Sequence, residues 1–230
     1  ALNALDCDRI DGVAIMAPET PPLRDAVKRL KDGGVAIVAL VSDLPNSERD
    51  HFVGIDNLAA GRTAGVLMGR FLCGRSCAVV VLASSMQARD SIERRLGFDQ
   101  VLAERFPSVE ALPSIEGHDD SETIERVLAM ALDSHRAIAG VYSLGSGNRV
   151  LTETLKAHGL ARDLVVVAHE LTPHTRAALR DDTIDAVITQ NVGHVVRSAL
   201  RVLRSKSDGM EIVHSQERIR IDIVMKENLP

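Results

Sequence analysis

Short aliphatic runs alternate with amphipathic stretches of helical length along this chain. The runs are GVAIMA (12–17), VAIVALVS (35–42), HFVGI (51–55), AVVVLAS (78–84), VEALPSI (109–115), IAGVYS (138–143), LVVVAH (164–169) and IDAVIT (184–189). Continuous apolar strands of this kind predict burial on both faces, as in parallel sheets covered by helices. Helical stretches lie between them, at 21–34, 57–74, 90–107, 121–135, 146–159 and 192–209. Many close on Gly or Pro, as helix C-termini do. DDSETIERVLAMAL also places an N-cap candidate before its apolar face. Alternation of strand and helix predicts βαβ units and doubly wound parallel sheets. Residues 1–9 read as a helix tail before the first strand. After 209, Arg218, Arg220 and Asp222 alternate with Ile219, Ile221 and Ile223, the period of a strand with one wet face.

Five strand–helix units run from 78 to 190, enough for one lobe. Only three strands precede them. The reading is two lobes, 1–74 with 191–215 and 75–190 with 216–230, the first lacking an initial strand–helix–strand unit. The totals change little. In 230 residues, hydrophobic side chains make up 45% and charged ones 26%, an ordinary globular balance. No apolar run is long enough to span a bilayer, and the first residues do not read as a secretory signal. The net charge of −5 speaks against nucleic-acid binding by this stretch itself. Cys7, Cys73 and Cys77 are odd in number and fit no zinc spacing. They read as free thiols of a cytoplasmic protein. Aromatic residues are 2% of the chain, with no Trp, so a ligand would find few rings to stack on.

Ligands of parallel α/β sheets bind beyond the carboxyl ends of the strands. There the chain delivers Asp56 and Asn57, a helix bearing Arg94, then Glu116 and His118, Asn148, His169 with Glu170, and Gln190. Nearly every strand ends on a residue capable of directional hydrogen bonds. Enzyme patterns fit poorly. HELTPH (169–174) is not H-E-x-x-H, and Pro173 reads as a turn that breaks the helix such a metal site needs. GSGNRV has Val150 where the third glycine of a dinucleotide loop belongs. LASSMQ is no nucleophile elbow. His51, His135, His158, His194 and His214 read as surface or helix-face residues. No catalytic residue, metal or cofactor is expected.

DGVAIMAP (11–18), VGIDNLAAGRTAGVLMGRFL (53–72), RRLGFDQVLAE (94–104), GVYSLGSGNRVLTETLKAHG (140–159) and LVVVAHELTPHTRAALRDDTIDAVITQN (164–191) together resemble the LacI/GalR family of bacterial regulators and their relatives, the periplasmic sugar-binding proteins. The resemblance covers essentially the whole chain. It implies a two-lobed periplasmic-binding-protein-like α/β fold closing over a small sugar-like effector. It assigns ligand contacts to Asp56, Arg94, His118, Glu170 and Gln190. Asn148 or the LGSG backbone (144–147) takes the family's Asn-Asp station, in a changed local pattern, and Glu170 stands where Asp is usual. It further implies a homodimer, pairing through Leu23, Val27, Leu30 and Val38. Operator DNA would be bound through a helix-turn-helix outside this chain. The main reading is the effector domain of such a regulator. The alternative is the periplasmic solute-binding protein of a sugar transporter, and an enzyme using His169 and Glu170 as acid–base partners ranks below both.

Overall fold

The computed structural model describes residues 2–73, 75–134, 137–213 and 216–230. His135 and His214 therefore lie outside the described residues. The chain forms two compact units. The first holds the chain through Ile55, with Gln87–Asp90 and Gln190–Arg220. The second holds Asp56–Met86, Ser91–Thr189 and Ile221–Pro230.

In the first unit, β1 (Gly12–Ile15), β2 (Ala36–Leu40) and β3 (His51–Val53) form a parallel sheet in that order. Helix α1 (Pro21–Asp32) starts on two prolines behind the Thr20 cap, which suits residues whose missing N–H would be orphaned anyway. Its Val27 and Leu30 pack on Ile15, Ile37 and Ala39. Strand alternation turns Gly12, Ala36 and Val38 to the other face, where the unit's last helix (Val192–Ser207) lies across β1, β2 and β3.

Two expectations are corrected in this unit. Val27, Leu30 and Val38 are fully buried and Leu23 packs on the same core, so their own unit already covers the face assigned to dimerisation. Residues 2–9 are two 3₁₀ turns, Leu2–Ala4 and Cys7–Arg9, rather than one helix. The Asp6 carboxylate caps the second turn by accepting from the N–H of Asp8, and that interrupts a continuous helix.

The second unit carries six strands: β4 (Cys77–Ala83), β5 (Val109–Glu116), β6 (Ile138–Ser143), β7 (Val165–His169), β8 (Ala186–Thr189) and β9 (Asp222–Val224). Their order is β5-β4-β6-β7-β8-β9, all parallel except β9. Pro113 sits in edge strand β5, where the register slips by one residue and no ladder donor is needed. Helices α4 (Ser121–Ser134), α5 (Asn148–Ala157) and α6 (Pro173–Arg180) pack on one face through Val80, Leu82, Val141, Val166 and Val187. Asp120 caps α4 by accepting from the N–H of Thr123. The other face meets α2 (Asn57–Phe71) and α3 (Arg89–Arg105).

The contacts of α2 run to β6, β7 and β8. Residues 56–71 thus stand with the second unit, where the sequence reading divided the chain at 74. The tail strand is shorter than its alternation suggested. Ile219 is buried between exposed Arg218 and Arg220, but only Asp222–Val224 is paired, antiparallel to β8. Pro173 opens α6 instead of breaking a helix. Thr172 caps it in a box with Thr175, and Pro takes the first position, where its missing N–H costs nothing.

The seam between α2 and α3 is made by glycine. Gly61, Gly65 and Gly69 recur every fourth residue on α2 and face α3 and Phe106 beyond it. Gly97 of α3 answers from the other side. A Cβ at Gly61 would fall 2.0 Å from the Arg94 carbonyl oxygen, and one at Gly97 would fall 2.2 Å from that of Leu58. The two backbones therefore touch, and this closeness sets the height at which the Arg94 side chain emerges.

Candidate functional site

Among the described residues Arg94 is the largest fully buried side chain, 1% exposed. Its planar fork points three ways. Nε donates to Asn57 Oδ1 at 2.9 Å, Nη1 donates to the Leu144 carbonyl at 2.6 Å, and Nη2 stands 3.5 Å from Glu170 Oε1. One guanidinium thereby joins the start of α2, the loop after β6 and the end of β7. Gly145 has φ +146° and leaves room for that fork, since a Cβ there would sit 3.0 Å from Nη1. The Arg94–Glu170 distance exceeds that of a tight charge-assisted bond. Glu170, 29% exposed, keeps acceptor capacity for a further donor.

Glu170 occupies the left-handed region, φ +72°, uncommon for a residue with a side chain. Its backbone is held on both sides. Its N–H donates to the Ile188 carbonyl at 3.0 Å, and its own carbonyl accepts from Thr175 Oγ1 at 2.9 Å and from the N–H of Thr172 at 3.1 Å. Asn148, 6% exposed, reaches across from α5, and its Nδ2 donates to the His169 carbonyl at 2.8 Å and to that of Gly145 at 3.4 Å. A cavity of about 340 Å³ opens beside this cluster, lined in part by Gly145, Asn148, Arg149, Thr172, His174 and Asp119.

His169 faces inward, toward α2 and α3, because successive strand residues point to opposite sides. It is fully buried, and its Nε2 shares a hydrogen bond of 2.9 Å with the hydroxyl of Tyr142 on β6. Tyr142 in turn stacks on Phe98 of α3. Burial, then the nearby Arg94 charge, hold the His169 imidazole well below its ordinary titration range. Burial likewise pushes the Tyr142 phenol upward, against the opposing pull of Arg94 and Arg95. Both shifts favour the neutral rings.

Of the sequence-derived site residues, Arg94, Asn148 and Glu170 meet in this cluster. Asp56 is its exposed neighbour. It caps α2 by accepting from the N–H of Ala59 at 2.8 Å, and Asn57 beside it bonds Arg94. His118 is exposed at φ +50°, with its N–H on the Ser84 carbonyl. Gln190 is buried and belongs to the first unit. Sequence reading missed Tyr142, whose apolar surroundings look like plain core, and it left Asn57 out of the site although it follows Asp56 directly. Among the described residues no group of three His, Cys, Asp or Glu side chains could hold a metal ion. The three thiols are free. No described helix is long and apolar enough to cross a membrane.

This arrangement offers carboxylate acceptors and buried amide donors at the carboxyl ends of parallel strands. Residues 3–211 match the model of the periplasmic binding protein domain. The chain belongs to that family. No curated protein matches its sequence. Among solved structures of periplasmic binding proteins and their kin, an ABC transporter solute-binding protein from Burkholderia graminis, in complex with D-arabinose, is 24% identical with a TM-score of 0.88. The match covers 96% of this chain and 77% of that one. A solute-binding protein from Agrobacterium vitis, bound with α-D-tagatopyranose, is 17% identical with a TM-score of 0.89, covering 99% and 79%. A glucose-galactose binding protein from Geobacillus stearothermophilus is 18% identical with a TM-score of 0.86, covering 97% and 79%. Likeness at these identities carries the fold, and the family is one of binding proteins.

Proposed function

We propose that this domain binds a small sugar at the strand ends of its second unit, as the solute-binding component of a transporter. The observation that carries the reading is the Arg94–Glu170 pair. A buried guanidinium steadies a half-exposed carboxylate there, and a carboxylate accepts from two sugar hydroxyls at once. Family membership supports it, and so do the sugars named with the similar solute-binding proteins. Asp56, His118 and Asn148 complete the proposed contacts.

Calorimetry with D-arabinose, D-tagatose and D-galactose tests the reading directly. Glu170→Gln keeps the shape and removes the charge. It is expected to weaken binding of whichever sugar binds by about 1–3 kcal/mol, the scale of one charged hydrogen bond, with circular dichroism unchanged. Unaltered affinity would remove Glu170 from the site.

A second reading keeps the same site in the effector domain of a LacI-type regulator, acting as a homodimer with a separate DNA-binding module. The VGIDNLAAGRTAG stretch and three free thiols favour it. The similar transporter proteins favour the first reading. The two differ in compartment, outside the cytoplasmic membrane for the first and in the cytoplasm for the second. Cell fractionation of the native protein separates them, and sedimentation tests the dimer.

A further inference from the structure

The site has a feature that ligand contact alone leaves without a role: a histidine sealed in the core one residue before the carboxylate. His169 and Glu170 are consecutive, and each is fixed by different partners. The His169 ring is pinned by Tyr142, its carbonyl by Asn148, and the Glu170 backbone by Ile188, Thr172 and Thr175. The left-handed turn at Glu170 aims its carboxylate at Arg94. That turn starts from wherever the imidazole is anchored.

We propose that Tyr142 and His169 are a positioning pair for the Glu170 carboxylate, and that they hold it only while the imidazole is uncharged. The proposal rests on the ligand-site reading above for its sugar-binding arm, whereas its latch arm stands on this chain's own geometry.

The groups around the imidazole explain the second half. From β6 comes the Tyr142 hydroxyl; from α3 comes the Arg94 guanidinium, whose charge opposes a second positive charge nearby. Arg95 and Asp99 act on Tyr142 from the same helix. On β8 the register partner is Ile188, which is apolar, and the buried residues of α2 include no charged side chain. Glu170 itself points to Arg94. No carboxylate of these elements bonds the imidazole. A proton there gains nothing and loses the hydration it would have outside.

Linkage fixes the sign. The buried imidazole titrates below its ordinary value of 6.5. Opening of the β7 end solvates it and lets it take a proton. Below about pH 6.5, acidification therefore favours the open form, approaching about tenfold per unit at lower pH. Above that pH the latch is at full strength.

Hydrogen exchange on the whole protein tests this without any ligand. The amides of Glu170, Leu171 and Thr172 are each hydrogen-bonded. After correction for intrinsic rates, their protection is expected to fall about fifteenfold in all between pH 6.5 and 5. His169→Gln keeps a polar partner for Tyr142 and cannot charge, so the pH dependence should vanish. Tyr142→Phe keeps the histidine and loses its anchor, so protection should fall at every pH. Protection that is flat with pH in the native protein overturns the proposal. So does an equal pH dependence in His169→Gln.

The sugar arm uses D-arabinose and D-tagatose at pH 7.5. Tyr142→Phe and His169→Leu should weaken binding about five- to fiftyfold, with His169→Gln recovering most of it. Equal weakening by His169→Gln would overturn the positioning role. If neither sugar binds the native protein, the sugar reading falls alone and exchange still decides the latch.

Discussion

Replacing Arg94 with methionine is expected to lower the unfolding free energy by about 3–5 kcal/mol, the scale for breaking a buried, multiply bonded charge. Urea titration would measure it. Methionine fills a similar volume, so little of the loss would come from a cavity. It would come from acceptors losing their donor: Asn57 Oδ1, the Leu144 carbonyl and Glu170 Oε1 all face the guanidinium. Glu170 is partly exposed and recovers some hydration, so the carbonyl and amide dominate the cost. Arg94→Lys should fall between the two, because one ammonium cannot point along three fixed directions. Sugar binding should be lost in both. A change below about 1 kcal/mol for Arg94→Met would mean that the three elements it joins are held by other contacts.

The second large effect is expected at Gly97. Alanine there gains about 1 kcal/mol of helix propensity. Against that, its Cβ would lie 2.2 Å from the Leu58 carbonyl oxygen and 2.8 Å from the Arg62 nitrogen. Backbone atoms cannot rotate away, so α2 and α3 must separate. The overpacking penalty wins, with a net loss of about 2 kcal/mol or more. Glu104→Ala, an exposed position on the same helix, should stay within about 0.5 kcal/mol. The site should suffer too, since Arg94 lies one turn before Gly97 and moves with it. Gly97→Ala that binds sugar normally while melting early would uncouple the seam from the site.

Much of the second unit was legible because its strands are buried on both faces. AVVVLAS and LVVVAH carry no polar interruption, and they became β4 and β7. Strand-end chemistry was legible for the same reason, since polarity reappears abruptly where a buried strand stops. Helix α6 was not, because proline signals both the end of one helix and the start of another. The capping hydroxyls of Thr172 and Thr175 were the signal that distinguishes them. The glycine seam escaped because small residues carry no polarity contrast, although their four-residue spacing was visible in NLAAGRTAGVLMG. The supposed dimer face on α1 was a correct amphipathic pattern given the wrong cover: Ile37 and Ala39 of the same unit supply it. Tyr142 and His169 could not be paired from sequence, since the β6–β7 register decides which residues share a face.

The backbone at Glu170 bears on how this position can vary over evolutionary time. A side chain held in a left-handed turn costs about 1 kcal/mol relative to glycine, which enters that region freely. In a descendant released from its ligand, drift at residue 170 would favour glycine or asparagine, and the fold would gain by it. Retention of an acidic residue at so unfavourable a torsion would therefore distinguish lineages still under selection for binding from those kept only for their shape.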